Sequence, residues 1–190
     1  WIRKLLTSDC VNIFKEMQNL YISDSTFESD MQRIRTAAKS FNVKISKHED
    51  MIYLKGNEFD KRRLGYYCIV KTSAAYSISL SLVQNAYPEY NMITLRNLIR
   101  DTLKHSGLEI NGFTLNNLLL QISLMIYRIS AGYSLSEEDL SVKNIKDYPD
   151  YIAALEIGNA ISSEYNCKFN NYEIYYITIL LISNVNLIST

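Results

Sequence analysis

The residue types that most often form catalytic or metal sites are few in this sequence and lie far apart along it. The 190 residues include two histidines and three cysteines: His48, His105, Cys10, Cys68 and Cys167. Structural zinc sites need such ligands in closely spaced pairs, and nucleophilic catalysis needs a nucleophile beside a base. Neither pattern occurs in the sequence. We therefore expect no catalytic residue, no metal site and no cofactor.

A second set of residues has the chemistry of a nucleic-acid-binding surface. Apolar residues recur at helical spacing between residues 26 and 41, which predicts a helix with one buried side. Its polar side carries groups that can contact phosphates and base edges in a major groove: Ser25, Thr26, Glu28, Ser29, Gln32 and Arg33. Gln and Arg are suited to bidentate contacts with A and G, whereas hydroxyls near a helix start more often hold phosphates.

The elements around this helix are those that would position it on DNA. Residues 10–20 have the spacing of a shorter amphipathic helix, and Tyr21-Ile22-Ser23 separates the two. Two helices joined by a short turn are typical of a helix-turn-helix. Segments 42–46 and 51–54 then predict a pair of strands, or wing, on which Lys44 and Lys47 can contact the DNA backbone. Periodicity alone leaves open a small helical domain that does not bind DNA.

Composition limits the remaining function classes. Twenty basic and twenty acidic residues give zero net charge, which excludes a uniformly basic nucleic-acid coat. Up to Leu64 there are twelve basic and nine acidic residues, a local excess of +3 with the sign that phosphate binding requires. The longest apolar run is too short to span a membrane, so no membrane partner is expected. Unpaired cysteines favour a reducing cytoplasm.

From residue 59 onward the pattern predicts an all-helical bundle of about five helices. The segments with helical periodicity or capping residues are 59–85, 93–105, 114–130, 149–165 and 172–184. Only six glycines and two prolines interrupt the chain, which also favours helices. We expect a mainly α fold, with a winged helix-turn-helix at residues 1–58 and a helical domain at 59–190. The many tyrosines are interpreted either as a dimer surface or as intramolecular core.

The N-terminal part resembles the multidomain sugar-operon activators of Gram-positive bacteria, of the mannitol and lichenan type, and the related Mga-like virulence regulators. The matching residues are the turn Leu20-Tyr21-Ile22-Ser23 with Ser25-Thr26, then Asp30, and Gly56-Asn57-Glu58 with Arg62-Arg63. The resemblance implies a winged helix-turn-helix whose first helix is mostly missing here and ends near Leu6. It also implies binding of double-stranded DNA by a homodimer at paired half-sites.

The helical part resembles a PTS regulation domain over Gln121–Arg128, residues 145–154 and residues 173–181. In that family, two histidines accept phosphate from the sugar phosphotransferase system. This sequence has Gln121 and Leu180 at the matching positions. Because neither side chain can carry a phosphoryl group, the resemblance implies a degenerate regulation domain that dimerises, contacts phosphotransferase-system proteins and is not phosphorylated at these two positions.

These features predict a cytoplasmic DNA-binding transcriptional regulator of a carbohydrate-utilisation or virulence operon. The alternative is a protein–protein interaction module that docks a phosphotransferase-system component without reading DNA. Because the sequence does not begin with Met, we expect it to be part of a longer protein.

Overall fold

The structure, a computed structural model, describes residues 1–72, 77–140 and 142–185, and within these ranges the fold is mainly helical with one small sheet. The chain divides into two compact units. The first is Trp1–Thr72, and the second contains the described residues that follow it. The predicted fold class, a small winged helix-turn-helix followed by a helical bundle, is confirmed.

The first unit contains four helices and a three-stranded antiparallel sheet: α1 Ile2–Ser8, β1 Cys10–Asn12, α2 Ile13–Leu20, α3 Asp24–Lys39, β2 Lys44–His48, β3 Met51–Lys55 and α4 Glu58–Thr72. The strand order is β1-β3-β2. Residues 10–12 were predicted to be helical, and this was wrong. They pair with β3, with Val11 opposite Ile52, while the Asn12 side chain accepts a hydrogen bond from the Lys15 amide and so starts α2 at Ile13.

Helix α4 belongs to the first unit because it packs against α1 and α3. Its Leu64 is fully buried, as are Leu5 of α1 and Met31 of α3. The Asn57 side chain caps α4 by accepting a hydrogen bond from the Asp60 amide at 2.8 Å. The compact unit therefore continues to Thr72 rather than ending at the expected boundary after residue 58.

The second unit contains five α-helices within its described residues: α5 Leu80–Ala86, α6 Met92–His105, α7 Gly112–Ser130, α8 Asp150–Tyr165 and α9 Asn171–Val185. Helix α7 contacts α5, α6 and α9, and α8 packs against α6 and α9. The single helix predicted over 59–85 is wrong, because α4 ends at Thr72 and the Ser79 hydroxyl caps a new helix by accepting from the Leu82 amide. Residues 73–76 of that prediction lie outside the described ranges.

Across the described ranges, no helix combines the length and the apolar character needed to cross a membrane.

Candidate nucleic-acid interface

The start of α3 is set by a hydrogen-bonded serine. The Ser23 hydroxyl accepts from the Thr26 amide at 3.3 Å and lies within hydrogen-bond distance of the hydroxyls of Ser25 (2.9 Å) and Thr26 (3.0 Å). Helix α3 therefore begins at Asp24, two residues before the apolar spacing that predicts it. Because Ser23 is the cap, Ser25 and Thr26 lie in the first helical turn, where backbone amides without helical partners attract anions.

The orientation of α3 is fixed by the residues on its buried side. Phe27, Met31 and Ala38 are almost completely buried, and the Phe27 ring lies 5.0 Å from the Trp1 ring. The opposite side therefore faces solvent. All six positions predicted on this helix are exposed: Ser25, Thr26, Glu28, Ser29, Gln32 and Arg33.

Two further exposed residues continue this surface and were not among the predicted contacts. Thr36 follows Gln32 by one turn, and its hydroxyl donates to the Gln32 carbonyl at 2.8 Å. Lys39 is exposed in the last turn of α3. The sequence could have identified both residues, because Thr36 lies four residues after Gln32 and Lys39 lies seven after it. Residues at these spacings share one face of a helix.

The acidic residue on this surface is partly neutralised. A Glu28 carboxylate oxygen lies 3.9 Å from the Arg35 guanidinium on the solvent-facing part of α3. Arg33 has no acidic partner among the described residues, so its guanidinium is available to a ligand. Because Glu28 faces Arg35, its carboxylate repels a DNA phosphate less than an unpaired carboxylate would.

The two lysines of the hairpin β2–β3 that were predicted to contact the DNA backbone lie on different faces of it. Lys44 lies opposite Lys55, and Lys47 lies opposite Ile52. Residues three apart in a strand point to opposite faces of the sheet. Lys44 and Lys47 are both exposed, but a ligand lying against one face of the hairpin contacts only one of them.

Most basic residues of the first unit fall into two groups. One group is paired with acids: Lys4 with Glu16, Arg35 with Glu28, Lys61 with Asp9, Arg62 with Glu58 and Arg63 with Asp60. The other group is exposed and has no acidic partner within the described part of the chain: Lys15, Arg33, Lys39, Lys44, Lys47, Lys55 and Lys71. The unpaired positive charge therefore lies mainly on α2, α3 and the hairpin, and the paired charge lies mainly where α4 joins the unit.

The buried thiols of the chain are not activated. Burial raises the pKa of Cys68 to about 11, and burial also raises the pKa of Cys167. Both thiols are therefore protonated at neutral pH, which is the unreactive form. No cluster of His, Cys, Asp and Glu within the described ranges could hold a metal ion.

In the second unit, Gln121 and Leu180 lie on α7 and α9, which pack against each other. The Tyr176 hydroxyl donates to Gln121 Oε1 at 3.4 Å, and Gln121 Nε2 donates to Asn117 Oδ1 at 3.4 Å. Leu180, one turn beyond Tyr176, is only 6% exposed. Gln121 therefore belongs to a hydrogen-bonded network, and Leu180 is buried.

Two buried charged residues hold the loop between α7 and α8. The Arg128 guanidinium lies 4.0 Å from the centre of the Tyr133 ring, and a Glu173 carboxylate oxygen accepts from the Leu135 amide at 2.8 Å. Both side chains are fully buried. They stabilise the bundle and are not part of its surface.

Comparison with protein families assigns both units. The family described as the Mga helix-turn-helix domain matches residues 1–70, and the family described as the PRD domain matches residues 96–184. A search among curated proteins finds no match to the chain. The first match covers the helix-turn-helix, the hairpin and most of α4, and the second covers α7, α8 and most of α6 and α9. The chain therefore joins an Mga helix-turn-helix domain to a PRD domain, which is the domain pairing of the PRD-containing, Mga-like regulators.

Proposed function

We propose that the chain is a cytoplasmic transcriptional regulator of a carbohydrate-utilisation or virulence operon, and that α3 enters the major groove of its DNA site. The observation that carries this proposal is the polar, exposed side of α3, held outward by the burial of Phe27 and Met31. A recognition helix needs this combination of a fixed buried side and a free polar side.

The residues of α3 divide by their chemistry. Gln32 and Arg33 supply the amide and guanidinium groups that make bidentate contacts with A and G. Ser25 and Thr26, in the first turn, lie where hydroxyls and backbone amides hold phosphates. Ser29 lies between these two groups along the helix, so it is placed to contact either a base or the sugar-phosphate backbone.

The PRD domain is proposed to mediate homodimerisation and contact with phosphotransferase-system proteins, without accepting phosphate at the two family positions. The Gln121 amide already hydrogen-bonds Asn117 and Tyr176, and an amide nitrogen is not a phosphoryl acceptor. Leu180 is apolar and buried. Any response of this domain to phosphorylation therefore has to use other residues or a phosphorylated partner.

The test is a fluorescence-anisotropy titration of the chain against duplexes from the region upstream of the adjoining operon, at several salt concentrations. We expect salt-dependent binding to one of these duplexes, weakened about 10- to 100-fold by Arg33→Ala, which is the usual value of one base contact. Arg100→Ala is the matched control, because Arg100 is an exposed arginine on α6 of the other unit.

Failure of the folded chain to bind any of the duplexes would contradict the proposal. Capture of a phosphotransferase-system protein by the same chain would then support the alternative of an interaction module that does not read DNA. Equal losses in Arg33→Ala and Arg100→Ala would show that the effect is general electrostatics rather than recognition.

A further inference from the structure

The register of the hairpin places two lysines directly opposite each other. Lys44 of β2 and Lys55 of β3 are Cα partners at the open end of the hairpin, and both are exposed. Directly opposed side chains in an antiparallel pair have Cβ atoms about 4.5–5.5 Å apart, and like charges at such positions are destabilising. Within the described residues neither lysine has an acidic partner, so the protein itself does not offset this repulsion.

The other end of the hairpin has a net negative charge. Its turn is Glu49-Asp50, and Lys47 lies just before it; all three residues are exposed. A phosphate that approached this turn would meet two carboxylates and one ammonium group. A phosphate at the open end would meet two ammonium groups. The charge distribution along the hairpin therefore favours contact with an anion at its base and opposes contact at its tip.

The face that carries the two lysines also offers neutral donors. Ser46 lies opposite Tyr53, two residues along each strand from the lysines, so all four side chains project from one face. Ser46 and Tyr53 are partly exposed. Hydroxyl groups beside two ammonium groups are the donors that protein surfaces use to hold DNA phosphates.

We propose that Lys44 and Lys55, with the Ser46 and Tyr53 hydroxyls beside them, bind a backbone phosphate of DNA, so that the wing contacts DNA by the base of this face and not by its tip. This inference rests on the proposed DNA-binding function and identifies how the wing takes part in it. It adds Lys55 to the residues expected to contact DNA. It also assigns the phosphate contact to Lys44 and not to Lys47, whose side chain projects from the other face of the hairpin.

The experiment measures duplex binding as a function of salt for Lys55→Gln and for Lys44→Gln combined with Lys55→Gln. Each neutralised phosphate contributes about 0.9 to the slope of log affinity against log salt. Because the two lysines share one phosphate, we expect the slope to fall by about one in the double variant and by less than that in the single variant. Because phosphate contacts carry no sequence information, affinity should fall about equally for specific and unrelated duplexes.

Two control variants make the test specific. Lys104→Gln removes one exposed lysine from α6 of the other unit and should leave the slope unchanged. Glu49→Gln combined with Asp50→Asn should change affinity less than about twofold at 0.15 M salt, because the tip lies more than a Debye length from the bound phosphate. An equal slope change in Lys104→Gln, or a large gain in affinity on neutralising the tip, would overturn the proposal.

Stability gives an independent readout. Removing one of two opposed lysines relieves their repulsion, so the thermal midpoint of Lys55→Gln should rise at low salt and approach that of the parent chain at high salt. A lower midpoint at low salt would overturn the like-charge argument.

Normal binding by Lys55→Gln, with Arg33→Ala still weakened, would overturn this inference and leave the proposed function intact. Absence of DNA binding by the parent chain would overturn both.

Discussion

At the scale of single residues, the surface of α3 was predictable because one physical rule fixes it. Burial of Phe27, Met31 and Ala38 determines which side chains face outward, and the spacing of apolar residues shows that burial in the sequence. The opposition of Lys44 and Lys55 was not predictable in the same way. The sequence indicated a turn over residues 47–50, whereas the strands extend to His48 and restart at Met51, and turn length sets strand register.

Tyr21 has a backbone conformation that its residue type disfavours. It ends α2 with φ of 53°, in the left-handed region, and its amide donates to the Gln18 carbonyl. Its side chain is 95% exposed and so contributes little packing to offset the strain. Glycine is the residue that normally occupies such a helix end, because a Cβ atom there costs roughly 1–2 kcal/mol.

We therefore predict that Tyr21→Gly is more stable than Tyr21→Ala by about 1 kcal/mol, since both remove the ring and only alanine keeps the Cβ atom. The measurement is urea unfolding followed by the fluorescence of Trp1, which is the only tryptophan in the chain and contacts Phe27 of the same unit. Equal stability of the two variants would show that the helix end is not strained.

At the scale of elements, helices with capping residues in the sequence were located well. The helix predicted over 172–184 is present as α9, and the Asn170 side-chain oxygen caps it by accepting from the Glu173 amide at 3.0 Å. Helix α8 begins at Asp150, one residue after its predicted start. Strand β1 was missed for a physical reason. Three residues are too few to show a period, and they become a strand only by pairing with β3, which lies much later in the chain.

The packing of α8 on α9 depends on a residue without a side chain. A Cβ atom on Gly158 would lie 2.3 Å from Ile174 Cδ1, and both residues are buried. The end of the isoleucine side chain can rotate away from a single methyl group, but Phe169 limits the space for a larger one, since its Cβ lies 4.0 Å from the same position.

We predict that Gly158→Val lowers the free energy of unfolding by about 1–3 kcal/mol, the usual cost of overpacking a core. Asn159→Val is the matched control, because Asn159 is the next residue of α8 and is exposed, and Asn and Val have similar helix propensities. Thermal unfolding followed by far-ultraviolet circular dichroism compares the two. A similar loss in both variants would mean that the close approach of the helices is not limiting.

At the scale of the whole molecule, the class of the protein was predictable from the resemblance, whereas the end of its first unit was not. Residues 59–72 have the composition of a helix that could join either unit. What assigns α4 to the first unit is its packing against α1 and α3 and the ion pair of Lys61 with Asp9. These are tertiary contacts between residues distant in sequence, which helical periodicity does not encode.

For the proposed homodimer, the structure separates tyrosines that pack within the second unit from those on its surface. Tyr87 is buried, and the partly buried rings of Tyr90, Tyr127 and Tyr165 contact one another or Tyr87, so these four form one intramolecular cluster. Tyr148 instead is exposed, together with Ile152 and Leu155. Their spacing places the three on one side of α8 and the turn before it. The described part of each chain carries one helix proposed to read DNA, and such helices act in pairs on paired half-sites. We therefore propose that a second copy of the chain binds this apolar surface.

We predict that Ile152→Glu weakens dimerisation by at least about tenfold, because a carboxylate would be buried in an apolar contact. Ile93→Glu is the matched control, since Ile93 on α6 is 61% exposed, close to the 64% of Ile152, and lies outside the proposed surface. Sedimentation equilibrium over a range of concentrations measures the dissociation constant of each variant. Binding to a duplex with two half-sites should weaken in parallel, while binding to a single half-site should not change. A dimer equally stable in Ile152→Glu and Ile93→Glu would place the interface elsewhere, and a parent chain that stays monomeric would contradict the homodimer itself.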